Sequence, residues 1–281
     1  MIVHLIDGTY ELFRHFYGLR RFHKTDPPFG AVAGVLSMIV KMIEDGATHI
    51  GVATDHVIES FRNELWPGYK TGAGIERTLR AQFHPLEDAL AAMGIVVWPM
   101  VEFEADDALA AAAQLAARDR KVEKVCIWTP DKDLAQCVVD DRVVQIDRRK
   151  NEMRNAEAIR AKFGVGPEFI PDYLALVGDS ADGFPGLPGF GPKTAARLIN
   201  LHGHIEDFPA EILNDANREL VLLFKNLATL RTDAPLDSPT NGRTSSVAKL
   251  SWRAPTEAFV STAITIGNPR LADRALRLAR R

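Results

Sequence analysis

Cysteine is nearly absent. Cys126 and Cys137 are the only two in 281 residues and each sits in an apolar run, which excludes a disulfide framework and marks both as small buried hydrophobes. No apolar stretch approaches the roughly 20 residues that a membrane-spanning helix needs. The chain opens on a strand-like run, Ile2 to Asp7, with no basic leader or cleavage site, so the reading is of a soluble, cytoplasmic protein. An excess of positive charge is also missing: 34 Lys and Arg stand against 37 Asp and Glu, a formal net charge of -3. The total therefore advertises no polyanionic partner. The eight histidines fall at no metal-ligand spacing, which disfavours zinc. No Gly-rich phosphate-cradling loop follows the first strand.

What is present is ordinary globular composition, 46% hydrophobic and 25% charged, enough for one large domain and a smaller one. The charge is unevenly spread. Residues 142–162 carry Arg142, Arg148, Arg149, Lys150, Arg154, Arg160 and Lys162 against Asp147, Glu152 and Glu157, and the C-terminus carries Arg270, Arg274, Arg277, Arg280 and Arg281 against Asp273. If the acids gather around cations at one place, such runs are left to face a polyanion; their plainer reading is the solvated faces of helices.

Short apolar runs at Val3–Asp7, Ile50–Asp55, Ile95–Met100, Val125–Trp128 and Val143–Ile146 read as strands, and Ala31–Glu44, Pro85–Met93 and Glu104–Arg118 as helices. Several of the strands are apolar throughout, as expected when helices cover both faces of a mostly parallel sheet. From about Asn155 onward the strand signals stop and helical stretches alternate with turn residues. The expected architecture is thus an α/β domain over residues 1–165, followed by a smaller helical domain over 166–281. Between Phe61 and His84 lies a segment of another kind, with Arg62, Lys70, Arg77 and Arg80, the aromatics Trp66 and Tyr69, and Gly68, Gly72 and Gly74. It reads as a mobile, basic insertion after the second strand.

The acids follow the geography of such a sheet, where ligands bind beyond the carboxyl ends of the strands. Asp7 ends the first strand and Asp55 the second; Glu104, Asp106 and Asp107 follow the third, Asp131 and Asp133 the fourth, and Asp179 and Asp182 come later in Gly178-Asp179-Ser180-Ala181-Asp182-Gly183. Taken singly, each has a bland explanation as a helix cap or a partner of a helix dipole. Together they would repel one another at one sheet edge unless cations sat among them. All-oxygen ligation points to Mg²⁺ or Mn²⁺, and two such ions about 4 Å apart are the usual apparatus for cleaving phosphodiesters.

Ile6-Asp7-Gly8, Thr54-Asp55, Phe61-Arg62-Asn63-Glu64-Leu65 with Tyr69-Lys70, Glu104-Ala105-Asp106-Asp107, Thr129-Pro130-Asp131-Lys132-Asp133-Leu134, and the Asp179–Asp182 run followed by Pro185-Gly186-Leu187-Pro188-Gly189-Phe190-Gly191-Pro192-Lys193-Thr194-Ala195 resemble, in order, the motifs of the bacterial and phage 5′-nucleases. That family includes the flap endonucleases and the 5′-nuclease domain of DNA polymerase I. The match spans roughly residues 1–203. The resemblance implies a PIN-like, resolvase-like α/β fold with a basic helical arch at about 60–84, and a helical domain containing a helix-hairpin-helix (H3TH) at about 184–203. It implies that Asp7, Asp55, Glu104, Asp106, Asp107, Asp131, Asp133, Asp179 and Asp182 hold two or more Mg²⁺ or Mn²⁺ ions, with Asp7, Asp107 and Asp131 central to catalysis. Arg62 and Lys70 fall where the family places basic residues near the scissile phosphate, and Lys70 is the candidate for stabilising the transition state.

Gly189 and Gly191 let backbone approach phosphate closely, Pro192 suits a first helical turn, and the free amides of the helix starting there bind phosphate oxygens. In the family this region grips duplex DNA, often with a monovalent cation such as K⁺. DNA contacts are accordingly expected from Arg62, Tyr69, Lys70, Gly189, Gly191, Lys193 and Thr194. The implied activity is 5′-3′ exonuclease or 5′-flap endonuclease cleavage of DNA, extending to RNA primers on DNA, by a stand-alone monomer that leaves 5′-phosphates. Two departures stand out: Gly183 where the family commonly has Asn, and Ala73 where a basic residue often follows. They keep open a DNA-structure-binding protein with weak or no nuclease activity. A PIN-like ribonuclease leaves Gly189–Lys193 and the Asp179–Asp182 pair unexplained.

Overall fold

The alternation of apolar and amphipathic runs builds a layered α/β body. The computed structural model describes residues 1–19 and 27–280; Arg281 of the C-terminal basic run lies outside them. Strands β1 (Ile2–Asp7), β2 (His49–Asp55), β3 (Val96–Met100), β4 (Lys124–Trp128), β5 (Val143–Asp147) and β6 (Glu152–Arg154) form one sheet in the order β3-β2-β1-β4-β5-β6. The first five run parallel and β6 pairs antiparallel with β5. The order steps outward from β1 in both directions, which opens a crevice over the carboxyl ends of β1 and its neighbours.

β1 sends Ile6 into one core and Val3 and Leu5 into the other, the alternation of a strand covered on both faces. The first core is closed by α1 (Gly8–Leu19), α2 (Gly30–Glu44) and α5 (Phe83–Ala92), the second by α6 (Ala105–Arg118). α6 is rich in alanine, from Ala108 to Ala116, so its backbone lies close on the strands. The insertion carries only two four-residue helices, α3 (Arg62–Leu65) and α4 (Arg77–Arg80). It is anchored at its far end, where Leu79 is buried and Gln82 Oε1 accepts the Ala31 and Val32 amides of α2.

A third core belongs to the helical unit: α7 (Ala156–Phe163), α8 (Ile170–Val177), α9 (Pro192–His202) and α10 (Asp215–Ala228) meet around Ile159, Leu174, Phe184, Leu198, Val221 and Phe224. Beyond it the chain returns to the α/β body. Leu230, Leu236, Val247 and Leu250 join the core under α6, while α11 (Phe259–Thr265) and α12 (Arg270–Leu278) pack on α2 and α5 through Phe259, Ala263 and Leu271. The helical unit is therefore narrower than the 166–281 span read from the sequence. No helix among the described residues is long and apolar enough to cross a membrane.

Candidate active site

The crevice is a cavity of about 390 Å³ lined by Asp7, Asp55, Asp106, Asp131 and Asp182, with Lys70 and the apolar Phe13, Ile58 and Ile75. β1 delivers Asp7, whose Oδ1 accepts the Tyr10 amide at 2.8 Å and whose Oδ2 accepts Thr129 Oγ1 at 3.0 Å. Thr129 Oγ1 also accepts the Asp131 amide, at 3.3 Å, and Asp131 Oδ1 accepts the Asp133 amide, at 3.1 Å. The loop after β4 is thereby fastened to the end of β1. From β2, Asp55 Oδ1 accepts the Ala105 amide at the start of α6, at 2.9 Å.

Crowding of like charge shows in the proton affinities. Burial, then the charges of Asp55 and Asp131, push Asp7 up to about 7 against the opposing hydrogen bonds from Tyr10 and Thr129. Asp106 and Asp133 are raised well above the usual carboxylate range, by burial first and then by neighbouring acids: Asp131 and Asp7 for the former, Asp182 and Asp131 for the latter. Glu104 behaves oppositely. Burial alone would raise it, but Lys70 and Arg62 hold it below its ordinary value; Lys70 Nζ lies 2.7 Å from Glu104 Oε2 and 3.0 Å from Asp182 Oδ1. A deeper group, Asp133, Asp179 and Asp182, offers carboxylate oxygens within 4.8 Å of one another.

Three expected site residues lie elsewhere. Asp107 gives both oxygens to Arg62, and its Oδ2 and Oδ1 also accept the Glu104 and Arg231 amides. It is fully buried, has no oxygen to spare for an ion, and belongs to the capping box of α6. Arg62, 1% exposed, is likewise an internal tie rather than a phosphate contact. Tyr69 is buried in the helical core, with its hydroxyl donating to Glu104 Oε2 at 3.3 Å, so it positions the acid and has no face for DNA. The basic run at 142–162 is also partly internal: Arg154 pairs with Asp147 and Glu152, Arg142 donates to the Ala117 and Asp119 carbonyls, and Arg148 lies over the Trp128 ring.

The departure at Gly183 has a structural reason. Its φ is +84°, and a Cβ built there would lie 2.0 Å from the Gly68 carbonyl oxygen. Trp66 Nε1 donates to the Gly183 carbonyl at 3.0 Å, and the Lys70 amide to the Asp182 carbonyl at 2.9 Å. Close backbone contact thus ties the insertion to the acid loop. At the other end of that loop, Gly189 and Gly191 are exposed with open space around them, and Pro192 begins α9; Lys193 is exposed and Thr194 half-buried there.

Comparison with known proteins adds two matches that meet end to end. The 5′-3′ exonuclease N-terminal resolvase-like domain covers residues 2–164 and the 5′-3′ exonuclease C-terminal SAM fold covers residues 165–249. This chain belongs to the 5′-3′ exonuclease family. It is 35% identical over 254 residues to DNA polymerase I of Pseudomonas aeruginosa, covering 83% of this chain but 27% of that protein, so the chain spans about a quarter of its polymerase relatives. To a 5′-3′ exonuclease of Aquifex aeolicus it is 31% identical over 245 residues, 84% of this chain and 83% of that one. In fold it is similar to T5 5′-exonuclease with divalent zinc ions bound, at TM-score 0.64, 20% identity, and 100% and 97% coverage. It is also similar to the catalytic core of Rad2 in complex with DNA substrate, at TM-score 0.62, 16% identity, and 98% and 91% coverage.

The acids of this exonuclease-family chain suit hard cations. Asp133, 4% exposed, keeps its Oδ1 buried without any hydrogen-bond partner, an expensive arrangement for a carboxylate among like charges unless a cation is its partner. The other candidate group, Asp172, His204 and Glu206, does not qualify: Lys225 Nζ sits 2.8 Å from Asp172 and 2.7 Å from Glu206 and already supplies the charge. Sequence reasoning missed Lys132, whose Nζ meets Asp179 Oδ2 at 2.8 Å; its place between two of the acids was the available signal.

Proposed function

We propose that this chain is a divalent-metal-dependent 5′-nuclease that hydrolyses DNA phosphodiesters at 5′ flaps or free 5′ ends and leaves 5′-phosphates. The carrying observation is the unpartnered, buried Asp133 Oδ1 inside the Asp133–Asp179–Asp182 group, one hydrogen bond from Asp131 and linked onward through Thr129 to Asp7. Asp7, Asp55, Glu104, Asp106 and Asp131 would hold one ion, and Asp133, Asp179 and Asp182 a second. All-oxygen ligation favours Mg²⁺ or Mn²⁺. Ions held there would supply an activated water for attack and charge neutralisation at the departing oxygen.

The remaining work falls to the protein itself. Lys70 lines the cavity and turns its ammonium toward the acids, which suits it to hold a scissile phosphate against them. The start of α9 offers exposed backbone amides behind Gly191 to the phosphates of the duplex, a grip that reads no sequence, with K⁺ as the accompanying ion. One loop, residues 178–191, joins the acid pair to this helix, so seating the duplex also places the backbone at the acids. RNA primers on DNA belong to the same substrate class. A cytoplasmic monomer is the companion reading, its compartment supported by two unpaired thiols.

The test is product mapping on a 5′-labelled flap with Mg²⁺ and with EDTA. Cleavage near the flap junction that EDTA abolishes is the expected result. Tight binding without product at any Mg²⁺ concentration would leave only a DNA-structure-binding protein.

A further inference from the structure

We propose that Lys132 is a tethered counter-ion for the Asp133–Asp179–Asp182 group, supplying the positive charge that a second divalent ion must displace, so that the two cation sites are unequal by construction. This rests on the two-ion reading above. Asp179 is 1% exposed; its Oδ1 accepts the Ala181 and Asp182 amides at 2.9 and 3.4 Å, which leaves Oδ2 for an ion. Lys132 Nζ holds that oxygen at 2.8 Å. Beside it, Asp133 Oδ1 is buried with no partner, so the group is only partly neutralised and still open to a cation.

The first group differs. Among the described residues, no ion pair reaches Asp7, Asp55, Asp106 or Asp131; Lys70 pairs with Glu104 at the margin of this group and also with Asp182 of the second, so it burdens both sites and Lys132 is the cation that sets them apart. The second ion must break the Lys132–Asp179 pair. Lys132 is suited to giving way, because its side chain stays 33% exposed and its flexible stem can carry the ammonium into solvent without disturbing the backbone. Arg62, 1% exposed and bound to two acids and two carbonyls, shows what a permanent internal cation looks like in the same protein.

The test uses the full chain without DNA, titrated with Mn²⁺ while free Mn²⁺ is followed by electron paramagnetic resonance. Wild type should show a tight and a weak class. Lys132→Met, which keeps the stem and removes the charge, should tighten the weak class on the order of tenfold, the worth of one partly exposed ion pair, and leave the tight class nearly unmoved. In EDTA the variant should melt below wild type, and saturating Mn²⁺ should close or reverse that gap. An unmoved or weakened second constant, or a melting gap that persists in Mn²⁺, would overturn the role of Lys132 while leaving the metal site standing. Wild type that takes up no more than one ion would overturn both.

Discussion

The Arg62 guanidinium grips both carboxylate oxygens of Asp107, Nη1 to Oδ2 at 2.7 Å and Nη2 to Oδ1 at 2.8 Å. It also donates to the Leu227 carbonyl in the last turn of α10 and to the Thr229 carbonyl just past it, so the insertion, α6 and the helical unit meet on one buried charge. Asp107→Ala strands that charge without its main partner. We expect a loss of about 3–5 kcal/mol in urea unfolding, with Mn²⁺ binding by the folded protein retained. A variant as stable as wild type that had lost its metal would return Asp107 to the ligand set.

Asp106 gives the opposite expectation. It faces the cavity, accepts no hydrogen bond among the described residues, and is raised by burial and by Asp131 and Asp7. Asp106→Asn relieves repulsion in the metal-free protein, which should melt roughly 2–4 °C higher, the equivalent of about 1 kcal/mol. The same change should reduce cleavage by at least about 100-fold, as the loss of a cation ligand does. Calorimetry in EDTA beside a flap-cleavage assay separates the two effects.

The raised acids set a pH dependence. Asp7 titrates near 7 in the folded protein and near 3.8 when unfolded, and Asp106, Asp133 and Asp182 are raised in the same sense. A raised group binds its proton more tightly when folded, so its contribution is complete below about 4 and is lost as pH rises through about 7. Glu104, depressed by its lysine and arginine, works the other way and loses its contribution only in acid. His4 and His15, lowered to about 4 by burial, add stability only as pH rises to about 6.5, so in EDTA the melting temperature should fall between pH 7 and 8, and Mg²⁺ should restore more at pH 8. A metal-free melting temperature that is flat or rising across that interval would show that these acids do not repel one another.

The acids were legible because strand ends are legible: a short apolar run closing on Asp announces where its side chain stands. Direction on a helix was not. Asp106 and Asp107 are neighbours on α6, and adjacent helical positions point about 100° apart, so one faces the crevice and the other turns to Arg62. The motif supplied both letters and neither direction. Arg62, Arg142 and Arg154 misled for the same reason, since a basic run does not reveal which guanidinium finds an internal acid or carbonyl. α1 went unread because Gly8 and its aromatics obscure a helix that buries only Leu12 and Phe16 among its large apolar residues. The return of the chain after Leu230 is a long-range contact that local pattern does not encode.

On α9, Lys193 and Arg197 lie one helical turn apart, both exposed and without an acidic partner among the described residues. If they meet phosphates, replacing each with Ala should weaken binding alike for unrelated DNA sequences and flatten the salt dependence by about one unit of slope per residue. A fluorescence anisotropy series across salt concentrations reads this directly; an unchanged slope would remove α9 from the interface.

Gly183 links fold and site in one atom. At φ +84° a side chain is already strained, and a Cβ would also lie 2.0 Å from the Gly68 carbonyl oxygen. Gly183→Ala should destabilise the protein by more than about 1 kcal/mol, push Gly68 aside, and loosen Lys70 from Asp182, so that cleavage falls further than stability alone explains. Asn separates the two causes, because it tolerates a left-handed backbone far better than Ala yet brings the same Cβ. Gly183→Asn should therefore stay impaired. If Asn instead restored wild-type melting and cleavage, backbone strain alone would account for the glycine, and the contact between the insertion and the acid loop would not be what holds Lys70 over the site.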